Sequence, residues 1–434
     1  MKSSILTAFL FLLAVLSAQG QSAIPAPGEV EFPTEPITAP PGYEVSHLWQ
    51  ILGFPSNQLL DANRLNFVKL VGITSLVSFV HWSEVESVGP DETTFMTYVT
   101  LRRKLGEHGL HWTPVLVANP FYSTPEWFRN SDKSVFARCL EHDQETPVQS
   151  IWNPHLRPHL QRFMRKVGEF CHQERDVVEA VRLGICGDFG ETTYPSALGL
   201  DCPDSTHIHP GWWAGDRYAR EDFRQWLKQR YGDADAVAMA WDISAAAVDR
   251  IATATGNLIS LPEGPLAGAF IADASGLSDV HRQRFLDFVT WYQESLTRFT
   301  RQCLEDARRF FPGDRLELVV SGDGRPQLGA DFSALTKAAR EYQAGLWYVG
   351  MTNDYLSGFS GGRLLSSAAR GYGVSYGTEE HLPNTEIGIS GRFFDALSSG
   401  ASGVGFRGLL IAGRFSPPSY PSRLWSLIGR TFLS

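Results

Sequence analysis

Short apolar runs alternate with longer amphipathic patterns from Tyr43 to about residue 408, and this alternation constrains the fold more than any other feature of the chain. Apolar runs between turn formers read as buried strands, whereas apolar residues at three- and four-residue steps read as helix faces. Tyr43–Gln50 (YEVSHLWQ) reads as a first strand, followed by a helical pattern over Asn57–Leu70. Ile73–Trp82 is a second strand, with a helix over 94–108. His111–Asn119 is a third, with a helix over 155–173. Val178–Gly187 is a fourth, followed by an insertion with its own helix at Glu221–Tyr231. A long amphipathic helix over 281–311 carries Phe285, Phe288, Tyr292, Leu296, Phe299 and Cys303 on one face. Leu316–Ser321, Gly345–Thr352, Gly373–Thr378 and Val404–Gly408 complete eight strands.

Strands separated by helices imply parallel βαβ units. Eight units predict an α/β fold, a (β/α)8 TIM barrel with a long insertion after strand four. An open doubly wound sheet is the alternative. It would bind a nucleotide at a glycine-rich turn, but Gly322-Asp-Gly324 lacks a third Gly at the required spacing, and no GxxxxGK[ST] run occurs.

Residues 1–20 read as a secretory signal: Lys2, an apolar run from Ile5 to Ala18, and the small residues Ala18 and Gly20 before cleavage. Residues 21–42 form a Pro-rich leader, and 43–434 the barrel. The expected location is secreted or periplasmic, with no membrane attachment after cleavage. The formal net charge of −9 argues against a nucleic-acid partner. The five Cys are odd in number and form no CxxC pair, so the chain is no disulfide scaffold, and no bridge is selected. His207 and His209 form an HxH with no Cys or carboxylate nearby at ligand spacing, so they read as a polar loop. No metal and no cofactor is expected.

Two acidic segments lie past strand ends. GICGDFGETTYPS (184–196) places Glu191 beyond the fourth strand, flanked by Asp188 and Tyr194. YGTEEHLPN (376–384) places Glu379 and Glu380 beyond the seventh. Strands four and seven face each other across a barrel, and catalytic groups come from the C-terminal ends of strands. Two carboxyls across a pocket are what glycoside hydrolysis requires, one to protonate the departing oxygen and one to attack the anomeric carbon or activate water. Trp49, Trp82, Trp127, Trp152, Trp212, Trp213 and Trp347 lie at strand ends or in the loops after them, where a ring can cover the flat face of a sugar. Trp82, Trp152 and Trp347 are the candidates for that role. Trp226, Trp241 and Trp291 lie in helical patterns and read as core. Glu86, Asn119, Asn153 and Asn353 are the further polar candidates for substrate contact.

These segments resemble glycoside hydrolases. WSEVESVGP (82–90) with HGLHWTPVLVANP resembles the second and third strands of β-amylases and of family 42 β-galactosidases, with Glu86 at the Glu of their W-x-x-x-E pattern. GDFGETTYPS resembles the β-amylase general-acid segment, with Glu191 at the acid position. STPEWF (123–128), DFRQWLKQRYGDADAVAMAW (222–241), RFLDFVTWYQESLTRF (284–299) and RFFDALSSGASGVGFRG (392–408) resemble family 42. The resemblance implies an exported glycosidase that cleaves a β-glycosidic bond with retention, with Glu191 as acid/base and Glu379 as nucleophile. Its partner would be an oligosaccharide or glycoside. In clan A, which includes family 42, Asn commonly precedes the strand-four acid, and here Gly190 stands in that place. An inverting, β-amylase-like glucan hydrolase and a non-catalytic carbohydrate-binding barrel are the other readings. Oligomeric state is not legible.

Overall fold

The computed structural model describes residues 42–50, 62–70, 72–173, 175–196, 207–241, 279–350, 355–381, 391 and 394–407. Eight parallel strands close into a barrel in chain order: Glu44–Gln50, Ser75–His81, His111–Val117, Val181–Leu183, Leu316–Val320, Ala344–Val349, Tyr376–His381 and Gly403–Arg407. The first pairs with the eighth, so no edge is left open. The (β/α)8 barrel expected from the alternation is therefore the fold. Strand four is shorter than expected: the chain leaves the sheet after Leu183, where the sequence suggested a strand to Gly187. Strand seven is shifted, beginning at Tyr376 rather than Gly373 and continuing to His381.

The helices form the outer layer because each buries one apolar face. The helix Leu156–His172 turns Leu160, Phe163, Met164, Val167 and Phe170 inward. It packs beside Asp279–Phe310, which buries Phe288, Trp291, Tyr292, Leu296 and Phe299. Arg217–Tyr231 starts where the Asp216 side chain accepts from the Tyr218 and Ala219 amides, and ends at Gly232 with φ 92°. Between strands three and four the chain adds a hairpin, Phe136–Arg138 against Glu145–Gln149. The expected leader, the signal and most of the insertion after strand four lie outside the described residues. Among those described, no helix is long and apolar enough to cross a membrane.

Side chains alternate in and out along each strand. Outward residues join the core shared with the helices. Inward residues fill the barrel in two kinds of layer. Glu44, Ser75, Thr113, Arg182 and Glu317 make a polar floor. Arg182 donates to Glu44 Oε1 at 2.8 Å and to Glu317 Oε2 at 2.9 Å, and Ser75 Oγ lies 2.6 Å from Thr113 Oγ1. Above it, Val77, Phe79, Val115, Val117, Val319, Trp347 and Val349 form an apolar plug, and Tyr122 and Phe189 pack on top.

Candidate active site

Glu379 reaches the barrel interior by register. It sits opposite Val349 and Gly405 on the neighbouring strands, and a Cβ on Gly405 would come 3.0 Å from its Cγ. Trp347 Nε1 donates to Glu379 Oε2 at 3.3 Å, and Arg182 Nη1 stands 4.0 Å from the same oxygen. The Arg182 guanidinium lies 3.4 Å from the Trp347 ring centroid. Glycines make room for that ring: a Cβ on Gly377 would meet it at 2.3 Å and one on Gly403 at 3.1 Å. A buried cation, an indole and a carboxylate are thus stacked through the axis of the barrel.

Glu191 is placed by the backbone instead. After Leu183 the chain makes a tight excursion, closed by the Ile185 amide donating to the Gly190 carbonyl at 2.7 Å and the Gly187 amide donating to the Glu191 carbonyl at 2.7 Å. It rejoins the sheet where Thr192 donates from its amide (2.9 Å) and its hydroxyl (2.6 Å) to the Val319 carbonyl of strand five. Glu191 Oε2 accepts from the Phe189 amide at 2.9 Å. Gly190 has φ 86°, and a Cβ there would meet Gly184 Cα at 3.1 Å and Val117 Cγ2 at 3.2 Å. Both the dihedral and the space favour glycine at this position.

The other expected contacts divide into two groups. Asn119 lies just past the end of strand three, buried, and neither its Nδ2 nor its Oδ1 has a hydrogen-bond partner among the described residues. A buried amide in that state is costly unless something else pairs it. Asp188 is buried beside Glu191, and its Oδ2 accepts from the Ser196 amide at 3.0 Å. Its carbonyl accepts from the Tyr122 hydroxyl at 2.8 Å, tying the third loop to the fourth.

The second group is engaged in packing. Trp82 is fully buried, and its Nε1 donates to Glu86 Oε2 at 2.9 Å. Glu86 is also fully buried, held by Arg162 at 2.8 and 3.0 Å and by Lys166 at 3.2 Å. Burial pushes its carboxyl up, but the bonds from Arg162 and Trp82 outweigh that and hold it below the usual carboxylate range. Asn153 bonds Lys133 O and the His155 amide. Tyr194 donates to the Tyr292 carbonyl at 3.0 Å and stacks on that ring at 3.8 Å, and burial raises its hydroxyl well above the usual value. Trp152, half-buried, stacks between Tyr194 at 5.7 Å and Trp291 at 5.2 Å. Trp347 is fully buried in the plug. Neither Trp82 nor Trp347 presents an open ring face. Asn353 and the side chain of Glu380 lie outside the described residues.

Sequence reasoning passed over three residues of this site. Arg182 reads as one charge in an apolar strand, yet its guanidinium stands 4.0 Å from Glu379. His81, at the end of strand two, is buried, with Nδ1 3.2 Å from Ser123 Oγ and its ring edge-on to Tyr122 at 5.5 Å. Tyr122 completes that corner of the mouth. A signal was available for His81, which ends strand two with an inward side chain, whereas Tyr122 lies in the loop after strand three and Arg182 in the floor of the barrel. The reading of His207–His209 as lacking ligand partners also changes: Cys139 and His142, from the hairpin before strand four, lie against both. The four described cysteines are unbridged. A separate cleft of about 870 Å³ beside the hairpin is walled by Arg129, Arg138, Asp216 and Arg220, and includes neither Glu191 nor Glu379.

No family model matches the chain. Among curated proteins it is similar to β-amylase 5 of Arabidopsis thaliana, 22% identical over 298 residues, covering 62% of this chain and 54% of that protein. It is 20% identical over 250 residues to a β-amylase of Cytobacillus firmus, covering 54% of this chain and 49% of that protein. The chain spans about half the length of the curated relatives it matches. The catalytic domain of β-amylase from Paenibacillus polymyxa matches with a TM-score of 0.69 at 18% identity, covering 85% of this chain and 92% of that one. β-Galactosidase from Marinomonas ef1 matches with a TM-score of 0.58 at 13% identity, covering 90% of this chain and 59% of that one. Both resemblances read from the sequence thus reappear in three dimensions, and they share the barrel.

Proposed function

We propose that this chain hydrolyses glycosidic bonds, with Glu191 as general acid and Glu379 as the second carboxylate. One observation carries the reading: two buried carboxyl groups stand past strand four and near the C-terminal end of strand seven, three strands apart around one closed barrel. The substrate class is an oligosaccharide or glycoside. The glycosidases among the similar structures support the class.

For the stereochemistry, Gly190 supports one of the two readings. The retaining, β-galactosidase-like mechanism of clan A has an Asn before the acid. Here that position is Gly, with φ 86° and a Cβ that would crowd Gly184 and Val117, so no Asn side chain stands beside the acid. The favoured mechanism is inversion: Glu191 protonates the leaving oxygen, and Glu379 takes a proton from water that attacks the opposite face. Trp347 and Arg182 position Glu379 for that work. Retention with Glu379 as nucleophile is the second reading, favoured by the extent of the match to β-galactosidases, 90% of this chain.

The test is a panel of maltooligosaccharides, β-galactosides and aryl glycosides. Glu191→Gln should lose most turnover on sugar leaving groups and least on dinitrophenyl glycosides, which depart without a proton. Glu379→Gln should lose turnover on both. Binding without hydrolysis across the panel by the unaltered chain would favour a carbohydrate-binding barrel instead. Export is proposed separately from the first 20 residues; a mature N-terminus at Gln21 after expression in a secreting host would support it.

A further inference from the structure

We infer that Cys139, His142, His207 and His209 form a structural zinc-type site that clamps the hairpin after strand three to the loop leading into the helix Arg217–Tyr231. The four ligand atoms all lie within 4.8 Å of one another. Cys139 Sγ is 3.4 Å from His142 Nδ1 and 3.3 Å from His209 Nε2, and His209 Nε2 is 3.0 Å from His207 Nε2. In a tetrahedral zinc site, bonds of about 2.3 Å to sulfur and about 2.0–2.1 Å to nitrogen set the ligand atoms roughly 3.3–3.6 Å apart. The three short spacings lie at or just under that range, and the wider pairs, within 4.8 Å, would close around an ion.

Protonation points the same way. His209 Nδ1 lies 3.0 Å from the Pro210 carbonyl oxygen, which can only accept. In neutral His209 the proton therefore sits on Nδ1, and the Nε2 lone pair faces Cys139 and His207. A backbone carbonyl fixing one ring nitrogen while the other turns to a shared centre is the usual arrangement of a metal-bound histidine. Nitrogen and sulfur donors favour zinc over magnesium or calcium, and four protein ligands suit a structural ion rather than one with an open position. Binding would release the Cys139 proton. Its present acceptor is Glu141 Oε2 at 2.9 Å, which places a compensating negative charge at the site.

The surroundings are built to hold the rings. A Cβ on Gly211 would come 2.4 Å from His209 Cε1, so Gly there makes room for the ring in its observed position. Glu141 accepts from the Trp212 amide at 2.9 Å, and the Leu140 amide donates to the Trp212 carbonyl at 2.8 Å. Trp213 packs on His209 at 5.1 Å and donates from Nε1 to the Pro195 carbonyl at 2.8 Å, next to the acid segment. The site therefore stiffens the loop that follows Glu191 without contributing to the chemistry.

The experiment uses the full chain, purified reduced and without chelator, loaded with zinc and dialysed against metal-free buffer. Metal analysis should find one zinc per chain. Cobalt substitution should give a thiolate-to-cobalt charge-transfer band that is lost in Cys139→Ser. His142→Ala alters an exposed side chain and so leaves the fold intact, while zinc affinity should fall at least tenfold. His172→Ala, at a histidine outside the cluster, should change nothing. Absence of stoichiometric zinc in the folded, unaltered chain would overturn the proposal. So would equal zinc retention by Cys139→Ser and His142→Ala.

Discussion

The two carboxylates of the barrel mouth are held by different means. Glu379 sits on a regular strand, and side chains hold it: Trp347 and Arg182 from strands six and four. Glu191 sits past an irregular excursion, and the main chain holds it through the Phe189 amide and the bonds closing residues 185–191. A register-placed group is sensitive to what fills the barrel. A loop-placed group is sensitive to backbone conformation. The contrast suits the proposed roles, because the second carboxylate must stay fixed whereas the acid must meet departing oxygens of varied substrates.

The largest expected effect removes either group. Glu191→Gln and Glu379→Gln should each lower kcat about 10²–10⁴-fold on oligosaccharides, with melting temperatures little changed. Equal activity of both variants and the unaltered chain would break the pairing. Next comes Arg182→Met, which removes the buried cation from Glu44 and Glu317 and leaves them Arg315 alone. With Arg315 still in place it should cost about 1–3 kcal/mol by denaturant unfolding. A neutral outcome would mean the polar floor does not hold the strand-seven side.

Two glycines separate the two modes of support more finely. Gly190→Ala forces φ 86° on a residue with a Cβ, at a cost of about 1–3 kcal/mol, and should disturb Glu191 while leaving Glu379 alone. Gly377→Ala drives a methyl into the Trp347 ring, at a cost of about 1–3 kcal/mol, and should disturb Glu379 first. The leaving-group dependence of each variant's rate shows which carboxylate moved. The smallest effect lies outside the mouth. The folded pKa of Glu86 is lowered, so its network contributes stability above the ordinary carboxylate value of 4.5 and loses it as pH falls through the folded value. Melting temperatures followed downward from neutrality should therefore fall less steeply in Glu86→Gln than in the unaltered chain.

The barrel was legible because strand and helix periods differ, and each of the eight runs lies on a barrel strand. Strand-end position also pointed to Glu191, Glu379 and Asn119. What alternation could not supply was side-chain company. Trp347 and Trp82 lie at strand ends, yet the glycines around one and the Arg162–Glu86 pair beside the other bury them. Arg182 was passed over because a charge in a short apolar strand acquires meaning only when Glu44, Glu317 and Glu379 converge on it from three other strands. His207 and His209 lacked partners in sequence because Cys139 and His142 precede them on another loop.

The most direct test of the central claim is the anomeric configuration of the first product, followed by NMR before mutarotation. Hydrolysis with inversion is the predicted result, with Glu379 activating water opposite Glu191. Hydrolysis with retention would contradict that role for Glu379, and no hydrolysis of any glycoside would contradict the account as a whole.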